Sequence, residues 1–278
     1  MGEVRVVTRR DTSVVRRLLD TREIDNVQIR SRVGVGSVEW PGPGYQLVGF
    51  WEGPQLVSLL LDGYNLQVAN GVPAALEAFA RWIHQRHRHC GSIVGRPDDA
   101  IGLWQQLSAL DSTVWSRPRQ VRDHQRVMAV SCPPTVPGDP HVVALPSRHL
   151  EAYHEAAVAM YTEELGSPPM GADGAYRDHV ATLMMRGQAF GAMVGDQVVF
   201  KADVVAASDK VCQLGGVWLM PKLRGRGLSE PALATVVEHC RQRWDTVCLY
   251  VNHHNRPAIR CYEAVGFRHV GQCATILY

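Results

Sequence analysis

The sequence predicts an α/β protein of the α+β kind, made of two related halves, each a mixed, mostly antiparallel sheet flanked by helices. Three observations predict it. Short apolar runs with strand character alternate with stretches whose apolar residues recur at helical spacing. Residues 132 to 140, CPPTVPGDP, hold four prolines and a glycine, the strongest linker signal in the chain. The stretches on either side of it, ALEAFARWIHQRHRHCGSIVGRPDDAIGLWQQL and ALATVVEHCRQRWDTVCLYVNHHNRPAIRCYEAV, share a helix–strand–loop–helix rhythm. The spacing from Leu76 to Leu233 differs by one residue from that of Ala100 to Ala258, so internal duplication is a reasonable hypothesis. The expected organisation is a domain over 1–131, a linker over 132–140 and a second domain over 141–278.

In the first half, Val4 to Val7 read as a short strand. Asp11 and Thr12 offer an N-cap to a helix through Val14, Val15, Leu18 and Leu19. Asn26 to Arg32 carries no clear signal, and Pro41 to Gly44 is a loop. Gln46 to Trp51 turns at Gly53-Pro54 into Gln55 to Leu61, with a further strand over Tyr64 to Val68. Ala74 to Arg88 is a helix, Ser92 to Val94 a strand, Ile101 to Leu110 a helix and Val121 to Val130 a strand.

In the second half, His141 to Leu145 reads as a strand, and Ser147 caps a helix reaching Leu165. A helix over Tyr176 to Arg186 follows. Ala189 to Val194, the Gly195-Asp196 turn and Gln197 to Ala206 make a hairpin. After the Asp209-Lys210 turn, a buried strand ends on Trp218-Leu219-Met220. A helix, the strand Val247 to Val251, a helix over Pro257 to Val265 and a last strand ending at Tyr278 complete the chain.

Composition narrows the function classes. At 278 residues, 46% hydrophobic and 20% charged, the chain can bury a sizeable core. A net charge of +2 argues against a dedicated nucleic-acid binder. Seven scattered cysteines without CxxC spacing point to a reducing cytoplasm rather than a disulfide framework. MGEVRVVTRR lacks the apolar core of a signal peptide, and no apolar run reaches transmembrane length. A soluble, cytoplasmic protein without membrane or nucleic-acid partners is the expectation.

The chemistry concentrates in Gln213 to Glu238. An apolar strand turns at Pro221 into Arg224-Gly225-Arg226-Gly227, and Leu228, Ala232, Leu233 and Val236 or Val237 mark one face of the helix that follows. A glycine-spaced loop between a strand and a helix N-terminus suits an anion, because glycine lets the backbone approach and the first-turn amides point outward. The two arginines suit a pyrophosphate. The first half has VANGVPAAL in the corresponding place, without arginines or paired glycines, and is expected to bind no phosphate. His84, His87, His89 and Cys90 look metal-like, but they sit at a helix C-terminus, where cationic side chains complement the dipole, and no second cluster accompanies them. No metal is expected.

Residues 141 to 278 resemble the GCN5-related N-acetyltransferase (GNAT) superfamily. Its motif Gln/Arg-x-x-Gly-x-Gly/Ala stands here as Arg224-Gly225-Arg226-Gly227-Leu228-Ser229, with serine in the last place. The run Asn255-x-x-Ala258-x-x-x-Tyr262-x-x-x-Gly266-Phe267 follows at the family's distance. The resemblance implies two GNAT-like domains, the first degenerate, as in two-domain actinobacterial acetyltransferases. It implies that Trp218 and Leu219 bind the pantetheine arm of acetyl-CoA through their backbone. The amides of Gly225 to Ser229 would hold the pyrophosphate and Asn255 would touch the cofactor. Tyr262 would be general acid to the leaving thiolate, for which a phenol of similar basicity is a fitting donor. Acetyltransferases of the ribosomal-protein alanine type carry a glutamate in the strand before the HHN-like loop, where this chain has Tyr250. As general base Asp203 ranks first among the carboxylates, before Glu163, Glu164 and the C-terminal carboxylate of Tyr278, and a water-mediated base is an equal alternative.

The expected function is acetyl-CoA-dependent transfer of an acetyl group to a primary amine of a small molecule, peptide or protein, by direct attack on the thioester. A non-catalytic CoA-binding or sensor protein is the alternative, motivated by Tyr250. An aminoacyl-tRNA-dependent transferase ranks third, against an intact phosphate loop and a low net charge. The acceptor has no portable motif, and an oligomer is possible.

Overall fold

The structure, a computed structural model, describes residues 2–33, 44–86, 88–169 and 171–278. Pro41 to Pro43 of the expected loop and His87 lie outside the described residues. In chain order the elements are β1 (Glu3–Val6), α1 (Thr12–Asp20), α2 (Val27–Arg32), β2 (Gln46–Glu52), β3 (Gln55–Asp62), β4 (Asn65–Ala69), α3 (Pro73–His84), β5 (Ser92–Gly95), α4 (Pro97–Leu110), α5 (Ser112–Trp115) and β6 (Gln120–Val130). Then come β7 (Val143–Ala144), α6 (Leu150–Leu165), α7 (Arg177–Met185), β8 (Ala189–Val194), β9 (Gln197–Ala207), β10 (Val211–Leu219), α8 (Ser229–Arg241), β11 (Thr246–Asn252), α9 (Arg256–Val265) and β12 (Arg268–Leu277). The fold is mixed α/β with mostly antiparallel pairing, as expected, and the β2/β3 and β8/β9 hairpins whose turns the sequence marks are among its antiparallel pairs.

Contacts group the residues into two compact units. The first comprises Met1–Val127 with Tyr250–His254 and Val270–Tyr278. Its sheet runs β1-β2-β3-β4-β5-β12, antiparallel except for the parallel pair β4/β5. Strand alternation divides its core. Leu60 of β3 faces Phe79 and Ile83 of α3 and Leu103 and Leu107 of α4. Leu59 and Leu61 face Val15 and Leu19 of α1 and Ile29 of α2. Pro73 and Pro97 occupy first-turn positions of α3 and α4, where a missing N–H costs nothing. Asp111 caps α5, accepting from the Thr113 and Val114 amides.

The second unit comprises Met128–Leu249 and Asn255–His269. Its sheet runs β11-β10-β9-β8-β7, with β10/β11 parallel and the rest antiparallel. α6 and α7 supply Tyr153, Ala157, Val180, Leu183 and Met184 to a core with Ala189, Val198 and Trp218. Ala232, Leu233, Ala234, Val236, Val237 and Cys240 of α8 are all buried, so this helix is enclosed on more sides than the one face expected of it.

Other expectations shift for local reasons. The strand expected over 141–145 shrinks to Val143–Ala144, an exposed edge that pairs only with β8 and ends at Pro146. Ser147 starts a 3-10 turn instead of capping, and α6 begins at Leu150. The helix expected to reach Arg88 ends at His84. The last ten residues form one strand, as expected, but β12 pairs antiparallel with β5, from Ala274 opposite Gly95 to Leu277 opposite Ser92. No helix among the described residues is long and apolar enough to cross a membrane.

Candidate functional site

The candidate site lies in the second unit, where β10 leaves its parallel neighbour. Pairing with β11 covers Val211, Cys212 and Gln213 and ends opposite Cys248. On the other side, the register with β9 jumps from Gly215–Asp203 to Trp218–Lys201, one extra residue on β10 and hence a bulge. Gly216 sits in it at φ +57. A Cβ there would lie 2.7 Å from both Asp203 Oδ2 and Lys201 Nζ, so the position excludes any side chain on two grounds.

Beyond the buried Trp218 and Leu219, Pro221–Leu223 forms a 3-10 turn and Arg224 is extended. Gly225 and Gly227 then adopt φ +73 and +69. Nothing lies within 4 Å of where their Cβ atoms would be, so glycine is required there by the backbone and the space above it is open. Leu228 is the N-cap of α8 and offers no side-chain hydrogen bond to the first-turn amides. Loop and helix end therefore present backbone donors and the positive end of the dipole to open space, together with the exposed Arg226. These residues fit a pyrophosphate.

The structure places Arg224 differently from the phosphate role the sequence suggests. Its Nε donates to Leu219 O at 2.9 Å, and its two terminal nitrogens grip Glu163 of α6 at 2.5 and 2.8 Å. Trp218 Nε1 donates to the same carboxylate at 3.2 Å. The guanidinium holds the Glu163 carboxyl below the usual range. Glu163 is thus engaged in structure, and Tyr278 packs in the first unit against Trp115.

Asp203, on β9, faces the bulge. Tyr153 OH donates to its Oδ1 at 2.6 Å, and Lys201 Nζ donates to its Oδ2 at 2.5 Å and to Gly216 O at 3.1 Å. Both carboxylate oxygens are occupied. Burial, then the Asp203 charge, pushes the Tyr153 phenol well above its ordinary value. Lys201 and Tyr153 escaped the sequence reading. The available signal was the lone lysine in VVFKADVV, two residues before Asp203 and so on the same strand face.

Asn255 is the exposed N-cap of α9, its side-chain oxygen accepting from Ala258 N at 3.2 Å. The amide nitrogen of that side chain remains a donor. Tyr262 lies about two turns further along α9, on the same side, buried against Phe267 with ring centroids 5.9 Å apart. Burial raises its pKa, with the Cys261 and Glu164 charges adding in the same direction, so the phenol stays protonated at neutral pH. Burial, then the Asp203 charge, raises the pKa of Tyr176, which packs on Tyr161 with ring centroids 5.6 Å apart.

The first unit treats the corresponding loop in the opposite way. Gly71, before α3, donates its N–H to the side chain of the buried Asp99 at 2.9 Å, and a Cβ at Gly71 would meet that oxygen at 2.6 Å. A carboxylate of the chain itself occupies this loop amide. At the opposite end of β4 and β5, His89 pairs with Asp62 at 3.0 Å and burial pushes the Cys90 thiol up to about 11. No metal-holding group of His, Cys, Asp and Glu occurs among the described residues.

Comparisons with known proteins bear on the family and the fold. Residues 190–276 match the family described as FR47-like protein, and residues 45–153 match a domain of unknown function, DUF4081. The fold is similar to a GCN5-related N-acetyltransferase from Sphaerobacter thermophilus (TM-score 0.62, 18% identity, 99% of this chain and 95% of that one). It is also similar to a GNAT-family acetyltransferase from Colwellia psychrerythraea (TM-score 0.58, 12% identity, 99% of each chain). A tandem GNAT protein from the clavulanic acid biosynthesis pathway matches over 100% of this chain and 98% of its own, at TM-score 0.55 and 14% identity. Comparison with the curated proteins gives no match.

Proposed function

We propose that this chain, which has the GCN5-related N-acetyltransferase fold in tandem with an FR47-like second half, transfers an acetyl group from acetyl-CoA to a primary amine. The observation that supports this best is the pairing of an open, left-handed Gly225/Gly227 loop at an uncapped helix end with a buried phenol on the helix after β11. The catalytic part is proposed to lie in 141–278, following the linker 132–140, with 1–131 as a degenerate copy whose loop amide is taken by Asp99. A cytoplasmic location belongs to the same proposal.

Bound acetyl-CoA would supply an activated thioester open to direct attack by a neutral amine. The amides of Gly225 to Ser229, with Arg226, would hold its pyrophosphate. The backbone of Trp218 and Leu219 would hold the pantetheine arm, and the Asn255 side-chain nitrogen would donate to it. Arg224 and Gly227 to Leu228 shape that surface, Arg224 from behind through Leu219 O. Tyr262 would return a proton to the departing sulfur; its raised pKa keeps that proton available at neutral pH. Asp203 is the first candidate for the base. To accept a proton it must exchange its bond from Tyr153 or from Lys201.

The test is thiol release from acetyl-CoA over a panel of small amines and peptides. Turnover with at least one amine is expected. Binding without turnover across the panel favours a CoA sensor instead. An Asp203→Asn variant that kept the wild-type pH–rate profile would assign deprotonation to water.

A further inference from the structure

We propose that Lys201 and Arg224 are positioning residues that clamp the β10 segment Gly216–Leu219 from its two ends, each cation holding one carbonyl of the segment and each paired with its own carboxylate. The inference rests on the acyl-transfer reading, in which this segment receives the acyl arm.

The segment has left the ordinary ladder. Between the Gly215–Asp203 and Trp218–Lys201 pairs, Gly216 and Val217 have no register partner on β9, and pairing with β11 has already ended. No register partner on β9 pins their peptide planes, and Gly216 adds conformational freedom. Two side chains do that work. Lys201 Nζ reaches Gly216 O at 3.1 Å and Asp203 Oδ2 at 2.5 Å, and lies 5.2 Å from the centroid of the Tyr153 ring. Arg224 Nε reaches Leu219 O at 2.9 Å while its fork holds Glu163, which also receives Trp218 Nε1. Because the peptide unit is planar and trans, holding Gly216 C=O toward Lys201 turns Val217 N–H to the opposite side. A backbone donor is thereby aimed before any ligand arrives.

Stability alone does not account for the two pairs. Lys201 is 0% exposed, and a buried ammonium–carboxylate pair is often no better for folding than apolar residues of the same volume. The Arg224–Glu163 pair is 42% and 46% exposed, in the range where ion pairs add little. Yet both act on carbonyls of one four-residue stretch. Their common target is the observation that carries the inference.

The test compares equilibrium binding of CoA and acetyl-CoA to the full-length protein and to Glu163→Gln, Arg224→Met and Lys201→Met. A clamp predicts that Lys201→Met, at the Gly216 end, keeps CoA affinity within about twofold, whereas Arg224→Met and Glu163→Gln, which release Leu219 O beside the pantetheine arm, also weaken CoA a few-fold. Acetyl-CoA affinity relative to CoA falls about tenfold, as expected for one misaligned hydrogen bond. If Arg224 is instead a phosphate ligand restrained by Glu163, Arg224→Met weakens both ligands equally and Glu163→Gln strengthens both, which overturns the clamp. Glu163→Gln touches a half-exposed carboxylate, so the comparison stays decisive even where Lys201→Met fails to fold. Wild-type protein that binds neither ligand removes the acyl-transfer reading and the clamp with it. Wild-type binding with an unchanged ratio in the variants removes the clamp alone.

Discussion

Replacing Asp99 with asparagine is expected to stabilise the first unit at neutral pH, by an amount that grows as pH rises. Asp99 is 2% exposed, and burial lifts its pKa from 3.8 to about 6. The bond from Gly71 N–H and the Arg22 charge oppose the rise, while Asp98 and Asp25 assist it. A carboxyl whose folded pKa is raised binds its proton more tightly in the folded state. Its favourable contribution is therefore complete below about pH 4 and is lost as pH climbs through about 6. At about 1.4 kcal/mol per pH unit, the shift corresponds to about 3 kcal/mol between those limits. Asparagine can still accept from Gly71 N–H but buries an extra N–H donor in place of an acceptor, which costs about 1 kcal/mol. The net gain at pH 7 is then about 2 kcal/mol, or roughly 4–8 °C in Tm for a unit of this size. Thermal unfolding of wild type and Asp99→Asn from pH 4 to 8 gives the difference curve, in which the other titrating groups cancel. A flat difference, or one in which the variant loses ground as pH rises, refutes the reasoning.

Four further outcomes follow from the second unit. Gly216→Ala places a methyl 2.7 Å from both members of the Lys201–Asp203 pair at a left-handed φ, and urea titration should show a loss above about 3 kcal/mol. Gly227→Ala meets only the backbone penalty, about 1–2 kcal/mol, because its surroundings are open; equal losses at the two glycines would contradict the placement of the bulge. Asn255→Ala removes the α9 cap and should cost about 1 kcal/mol in the same assay. Tyr262→Phe should lower kcat with an accepted amine about a hundredfold or more while acetyl-CoA affinity holds, and an unchanged rate would take Tyr262 out of the mechanism.

What the sequence shows and what it hides divide along physical lines. The β8/β9 hairpin, the Gly225/Gly227 loop and α9 from Asn255 to Gly266 are local, since a turn, a backbone requirement or a cap is written in adjacent residues. Long-range partnerships leave no such trace. Glu163 meets Arg224 from 61 positions away, and nothing in either neighbourhood announces the pair. Tyr153 reads as an apolar helix residue, although its hydroxyl ends on Asp203 fifty positions later. β12 is plainly a strand in the sequence, but its partner β5 is chosen by the sheet it joins. Asp203 was legible as a carboxylate near the site; the lysine two residues before it changes what that carboxylate can do.

The central claim is that the loop from Gly225 to Ser229 holds the phosphates of acetyl-CoA. Calorimetric titration of acetyl-CoA into wild type and Gly227→Asp, with each fold checked by circular dichroism, tests it most directly. The account predicts saturable binding to the wild type and a loss of about a hundredfold or more when a carboxylate stands where the phosphates belong. Equal affinity in a folded Gly227→Asp protein would contradict it.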